Sequence, residues 1–154
     1  MKFISRTMVE RWLSILEEML SVDWLTMDPF DFNNDDIERW LLEVAKAEGL
    51  TLGEVALVFC TDDELLDINI KHLGHDYYTD IITFDYTEDK NISGDLFISA
   101  DRVRENALAL TVGFQAELHR VVVHGVLHLC GYGDKTNAEE QLMREKEDFY
   151  LNKL

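Results

Sequence analysis

HGVLHLCGYGD, residues 124–134, is the stretch on which the reading of this chain turns. It ends a longer apolar run, FQAELHRVVVHGVLHLC, that predicts a helix over 114–130, broken by Gly131 and Gly133. On that helix His124 and His128 stand four residues apart and project from one face, within reach of a single ion. Gly131 follows three residues after His128, and glycine tolerates the positive φ of a sharp reversal. Such a turn returns the chain so that Asp134, a hard oxygen ligand, meets the same ion.

The spacing H-x3-H-x2-G-x2-(H/D) is that of metzincin-type sites. Two histidines at this spacing also line ordinary helical cores. The glycine turn and a third ligand at the right offset set this stretch apart from them. Three protein ligands leave a position open, the mark of a catalytic site, where a bound water becomes acidic enough to attack an ester or amide. The expectation is therefore one divalent ion per chain, zinc, on His124, His128 and Asp134. A peptidase of this layout carries a glutamate directly after the first histidine as general base; here Gly125 occupies that position. Cys130 lies on another helical face than His128 and is expected as a small buried hydrophobe, as is Cys60 at the end of an apolar strand. His119, five residues before His124, points elsewhere.

Working outward, residues 5–21 carry Met8, Trp12, Ile15, Leu16, Met19 and Leu20 at helical spacing, which predicts an extra N-terminal helix. A short first strand is expected within 22–35. A helix over 36–48 follows, capped by Asp35 or Asp36, with Ile37, Trp40, Leu41, Val44 and Ala45 inward and Gly49 as its stop. EVALVFC (54–60) reads as a buried strand. Thr61 caps a helix to about Lys71, and 72–78 is a loop. DIITFDY (80–86) and DLFIS (95–99) read as an antiparallel hairpin. A helix runs from Ala100 to Leu110, and a last one from Thr136 to Lys153, with Leu142, Met143, Phe149 and Leu151 as core contacts. Few strands and many helices give an α+β layer fold.

Composition narrows the class. The 154 residues suit a single domain, 1–154, and a hydrophobic fraction of 47% supplies a core. Two cysteines make no disulfide framework. Glu10, Arg11, Glu17 and Glu18 interrupt every apolar run near the N-terminus, so no signal peptide is expected, and no apolar stretch is long enough for a membrane helix. The expected compartment is the cytoplasm. The net charge of -17 opposes direct phosphate binding and suits docking on a basic protein surface.

Several polar residues outside the central stretch are notable. Thr79 and Asp80 begin the strand TDIITFD and Asp85 lies near its end, where short polar residues also simply terminate pairing. Gly94 and Asp95 precede the next strand, and His72 and His75 flank Gly74 in a loop where surface histidines are common. The acids in AEEQLMREKED (138–148) read as a solvated helix face.

Taken together, the motifs resemble the YbeY family of bacterial rRNA maturation endoribonucleases. HGVLHLCGYGD resembles that family's H-G-x-L-H-L-x-G-Y-D-H, TDIITF (79–84) its T-D-V-L-S-F strand, and GDLFIS (94–99) its G-D-I-x-I-S strand. DRVRENA (101–107), ELHRVVVHG (117–125) and TDDELLDIN (61–69) match in register, so the resemblance covers about 52–134 and extends to the last helix. It implies a zincin-like α+β fold, about four strands in a small mixed sheet covered by about five helices, and a single zinc. It also implies single-strand-specific RNA cleavage in small-subunit rRNA 3′-end maturation and ribosome quality control. The implied partners are rRNA, the small ribosomal subunit, ribosomal proteins and an assembly GTPase.

His124 and His128 carry over as ligands, but Asp134 stands where the family has a third histidine. The exchange lowers the site's charge by one and should make a bound water less acidic. The family's Tyr-Arg pair falls on His72 and Leu73, so the arginine suited to phosphate is missing. Lys71, His72 or His75 would have to replace it, and His72, His75 and Asp85 are the candidate reacting groups beside water. Two other functions compete: a metal-stabilised ribosome-assembly factor with little catalysis, and a metalloprotease, which Gly125 opposes.

Overall fold

The computed structural model describes residues 19–154. Most of the expected helix 5–21 lies outside the described residues. Its last two positions, Leu20 and Ser21, belong instead to strand β1, Leu20–Trp24. The first strand therefore starts earlier than the sequence suggested and is over by Trp24. Pro29 has no N–H to give a ladder, and Phe30 and Phe32 fold back onto Phe59, with ring centroids 4.8 and 5.4 Å away.

Helix α1, Asn34–Ala47, is capped one turn before Asp36: the Asn33 side chain accepts from the Asp36 N–H at 3.1 Å. Its buried stripe is the expected one, Ile37, Trp40, Leu41, Val44 and Ala45. Strand β2, Thr51–Cys60, is three residues longer at its start than expected, and an irregularity between Leu52 and Val55 separates the added part. Thr61 caps α2, Asp62–Ile68, as expected, and the cap is reciprocal: Glu64 N–H donates to Thr61 Oγ1, and Thr61 N–H to Glu64 Oε1. One π-helical turn, Asn69–Leu73, then carries the chain through positions 72 and 73, which the sequence placed in the loop. Within it the buried Asn69 side chain donates to the Tyr77 carbonyl at 2.9 Å and ties the following loop to the turn.

Strands β3, Ile81–Asp85, and β4, Asn91–Ser99, form the expected antiparallel pair, with Ile81 opposite Ile98 and Asp85 opposite Gly94. The sheet order is β1-β2-β4-β3; β2 runs parallel to both β1 and β4, and only β3 is antiparallel. Helices α3, Ala100–Leu110, α4, Phe114–Leu129, and α5, Asn137–Leu151, complete, among the described residues, a four-stranded mixed sheet with five α-helices, the expected α+β class.

Alternation along the strands divides the interior. Leu57 and Phe59 of β2 and Ile92, Leu96 and Ile98 of β4 face α1 and α4 in the main core. Cys60, Ile82, Phe84 and Phe97 face the other way, against Leu65 of α2. Each fully buried aliphatic or Phe side chain contributes about 1.5–3 kcal/mol, so the main core pins α4 most firmly. Val121, Val122, Val126 and Leu127 are all buried there, which holds the helix that carries both histidines. The register of α5 keeps Met143 and Leu151 of the expected contacts and corrects the rest. Met143 and Tyr150 are buried with Glu147, while Leu142 and Phe149 are 44% and 50% exposed. Among the described residues no helix is long and apolar enough to cross a membrane.

Candidate metal centre

Gly125, directly after His124, is where α4 meets the sheet. A Cβ built there would stand 2.7 Å from Ile81 Cδ1 and 2.9 Å from Leu96 Cδ1. The helix thus lies close on β3 and β4, and a glutamate has no room at this position. His124 and His128 come off a neighbouring face, one turn apart. The helix then ends in a Schellman turn: Gly131 N–H donates to the His128 carbonyl and Tyr132 N–H to the Leu127 carbonyl, both at 3.0 Å. Gly131 takes φ +103°, a conformation that side chains other than glycine resist. The reversal returns Asp134 to the two histidines.

The three side chains meet as the spacing demanded. His124 Nε2 is 3.0 Å from His128 Nε2 and 3.4 Å from Asp134 Oδ2, and His128 Nε2 is 3.2 Å from Asp134 Oδ2. The imidazole planes are nearly perpendicular, at 86°. The second nitrogen of each ring is already engaged. His128 Nδ1 is 2.8 Å from the Tyr132 carbonyl, which can only accept, so Nδ1 carries the proton and Nε2 of the neutral ring is a bare lone pair. His124 Nδ1 lies 3.2 Å from Glu147 Oε2, another acceptor, with the same consequence.

Two ring nitrogens and a carboxylate oxygen thus converge within 3.4 Å of one another, an arrangement that a cation would hold together. A tetrahedral ion with bonds of about 2.0–2.2 Å holds neighbouring donors about 3.3–3.6 Å apart, so the donors need open by only a few tenths of an ångström. Donation from the far ring nitrogen to a carboxylate and to a backbone carbonyl is the usual support of metal-bound histidines. The donor set fits a divalent ion. Among the described residues this is the group of three His, Cys, Asp or Glu side chains whose ligand atoms lie within 4.8 Å of one another.

The acidic run 138–148 is not wholly a solvated face. Glu147 is 3% exposed and ties His124 to a buried ionic chain. Arg120 Nη1 donates to Glu147 Oε1 at 2.9 Å, and Arg120 forks onto the buried Glu117 through Nε and Nη2. Burial alone would raise the Glu147 pKa, but the hydrogen bonds from His124 and Arg120 outweigh it and hold the carboxyl below its ordinary range. Burial likewise acts to lower His124, yet Glu147, Asp80 and Asp134 prevail and raise it. Asp80 lies at the start of β3 with its pKa pushed up by burial, against the lowering effect of His124 and Arg120; Asn106 Nδ2 donates to it at 3.4 Å. The sequence singled out Asp80 at the head of its strand and within the TDIITF motif, but assigned it no role at the metal site.

The structure does not bring His72, His75 or Asp85 into the triangle. The His72 ring meets Phe84 edge-on at 6.0 Å. His75 stacks on Tyr77, and Asp85 Oδ1 accepts from the Thr87 N–H in a turn. His119 packs against Trp40, with its pKa lowered by burial. Burial pushes both Cys60 and Cys130 up to about 12, so neither thiol is ionised near neutrality.

The family profile described as "Endoribonuclease YbeY" matches residues 26–154. A relative of that name from Phocaeicola vulgatus is 50% identical over 118 residues, 77% of this chain and 86% of the relative. One from Flavobacterium johnsoniae is 48% identical over 116 residues, covering 75% and 84%. A solution structure of a Thermotoga maritima protein aligns with a TM-score of 0.59 at 26% identity, over 86% of this chain and 87% of that one. The motif match that began at 124–134 thus extends over nearly all the described residues, and the chain belongs to the YbeY family of endoribonucleases.

Proposed function

We propose that this chain is a metal-dependent endoribonuclease that cuts rRNA, with one zinc ion held by His124, His128 and Asp134. The observation that carries the reading is the convergence of His124 Nε2, His128 Nε2 and Asp134 Oδ2, with the far nitrogen of each ring held by an acceptor. A divalent ion there supplies Lewis acidity to a phosphoryl oxygen and to water. The chain's own residues do the rest. Glu147 and the Tyr132 carbonyl fix both imidazoles in the tautomer that presents Nε2. Asp134, with a side chain 42% exposed against 20% and 25% for the histidines, marks the solvent side from which a strand approaches. Asp80, half-buried and coupled electrostatically to His124, has its pKa raised by burial and is the candidate among the carboxyls to hold a proton.

Substrate assignment to small-subunit rRNA, a cytoplasmic location, contacts with ribosomal proteins or an assembly GTPase, and a part in ribosome quality control all belong to this proposal and rest on family membership. The test pairs metal content with cleavage of rRNA precursors. Wild type should bind one zinc per chain and cut, and His124→Ala and Asp134→Ala should lose both. Stoichiometric metal with uncut ribosomal RNA would favour the second reading, an assembly factor with little catalysis, which the net charge of -17 supports. A peptidase has nothing at residue 125 to serve as its base, because that position is packed against Ile81 and Leu96.

A further inference from the structure

The segment leading into β3 leaves its aromatic rings in water. Tyr77 and Tyr78 are 56% and 50% exposed, beside Ile70 and Leu73 at 44% and 45%. These rings are nonetheless held. His75 lies on Tyr77 with centroids 5.2 Å apart and planes 19° from parallel, and Tyr77 Oη is 3.0 Å from His75 Nδ1. Arg102 covers Tyr78 at 5.3 Å, and the Tyr78 hydroxyl donates to Asp63 Oδ1 at 3.1 Å. Rings fixed by their partners while half their surface stays in solvent are poised to stack on another planar group.

The patch leads along the chain towards the helix that carries the histidines. Ile81 packs on Gly125, the neighbour of His124. The chain covers at most about 3.6 Å per residue, so the Tyr78 and Ile81 backbones are within about 11 Å of one another. The charges here exclude a phosphate track. Lys71 is paired with Asp67 at 2.8 Å and Arg102 with Asp62 at 2.6 Å. An acidic surface repels the RNA backbone, but every base offers a π-face whatever the charge around it. Unpaired strands expose those faces and duplexes do not.

We propose that His75, Tyr77 and Tyr78 form a stacking platform for unpaired RNA bases next to the cleaved position. It gives this acidic chain single-strand selectivity through base faces rather than phosphates. The proposal rests on the endoribonuclease reading above. The test uses the full-length, zinc-loaded protein and a fluorescent 2′-O-methyl single strand, shown by gel to stay intact during the titration, alongside an abasic strand with the same phosphates. The wild type should bind the base-bearing strand about tenfold more tightly than the abasic one. Tyr77→Ala/Tyr78→Ala should bind both as weakly as the wild type binds the abasic strand, and Tyr77→Phe/Tyr78→Phe should retain most of the preference. The salt dependence should be shallow, near one phosphate or fewer. Metal content and thermal melting of each variant certify the fold. Equal affinity for the two strands, or an Ala variant that binds like wild type, overturns the platform. If such a protein still cuts rRNA, the nuclease reading stands without it. If the platform binds bases but loaded protein cuts no RNA, the nuclease reading fails and the platform survives.

Discussion

The two histidines of the candidate metal centre are one helical turn apart and are held in opposite ways. His124 is held by a side chain from a distant helix, Glu147 of α5, itself gripped by Arg120 and Glu117. His128 is held by main chain, the Tyr132 carbonyl inside the turn that ends its own helix. Its remote support reaches it only through the Tyr132 ring, whose hydroxyl donates to Glu48 Oε2 at 2.7 Å. One anchor is chemistry that a single substitution removes; the other is backbone geometry, vulnerable only where the turn itself is strained. The first needs a buried charge cluster to exist, and the second needs a glycine.

The largest effect should come from breaking the side-chain anchor. Glu147→Ala strips His124 of its acceptor and leaves Arg120 with Glu117 alone. Removing one partner of a buried ion pair costs about 3–5 kcal/mol. The lower end is expected here, because the Arg120 side chain is 31% exposed and keeps its fork onto Glu117. Zinc affinity should fall by about 10–100-fold, as when other outer partners of metal-bound histidines are removed. Urea denaturation and chelator competition measure the two losses. Glu147→Gln, which still offers an acceptor, should recover part of the affinity. If Ala and Gln variants bind zinc like wild type, the two anchors are not distinct in kind.

Next comes the geometric anchor. Gly131→Ala asks an L-residue to adopt φ +103°. Stability should drop by about 1–2 kcal/mol, the cost of a left-handed backbone. Affinity should fall as well, because the same turn returns Asp134 and presents the Tyr132 carbonyl. A thermal melt and a zinc titration decide it. A variant that loses stability but keeps its affinity would mean that Asp134 is placed by α5 rather than by the turn.

The same contrast explains what was legible in the sequence. His124, His128 and Asp134 lie within 124–134 and need only one helix and one glycine turn to meet, so local rules find them. Glu147 needs α5 packed on α4, a tertiary fact, and it sits in a run of charges that reads as solvated. A signal was present. Met143, Glu147 and Tyr150 follow the i, i+4, i+7 spacing of a buried stripe, but a carboxylate in the middle disguised it, so that Leu142 and Phe149 were added to the correctly expected Met143 and Leu151 while Tyr150 was missed. The fold class followed from apolar periodicity. The end of β1 was misjudged because Phe30 and Phe32 alternate like a strand while packing as loop residues on Phe59.

A smaller effect is expected from the hydroxyl behind His128. Tyr132→Phe removes a hydrogen bond to a carboxylate that also accepts from Tyr150 and Lys146. A stability loss of about 1 kcal/mol is expected, since two donors to Glu48 remain. Because the carbonyl that holds His128 is untouched, zinc affinity should change far less than in Glu147→Ala. An equal loss in chelator competition would show the Tyr132 ring, not the backbone, to be the true anchor.

The smallest effect concerns pH and isolates Glu48. Burial would raise its pKa, but the hydrogen bonds from Tyr150, Tyr132 and Lys146 prevail and hold it below its ordinary 4.5. A carboxyl whose folded pKa is depressed contributes stability that is complete above the unfolded value and disappears as pH falls through the folded one. The wild type should therefore exceed Glu48→Gln in urea midpoint at neutral pH by a margin that holds down to about pH 5 and narrows progressively below it. The margin should be modest, because Lys146 is a third exposed and its ion pair with Glu48 is screened by water. A margin unchanged between pH 6 and pH 3 would mean that Glu48 steadies the turn by packing alone. The support behind His128 would then owe nothing to charge, making the contrast with the ionic chain behind His124 sharper still.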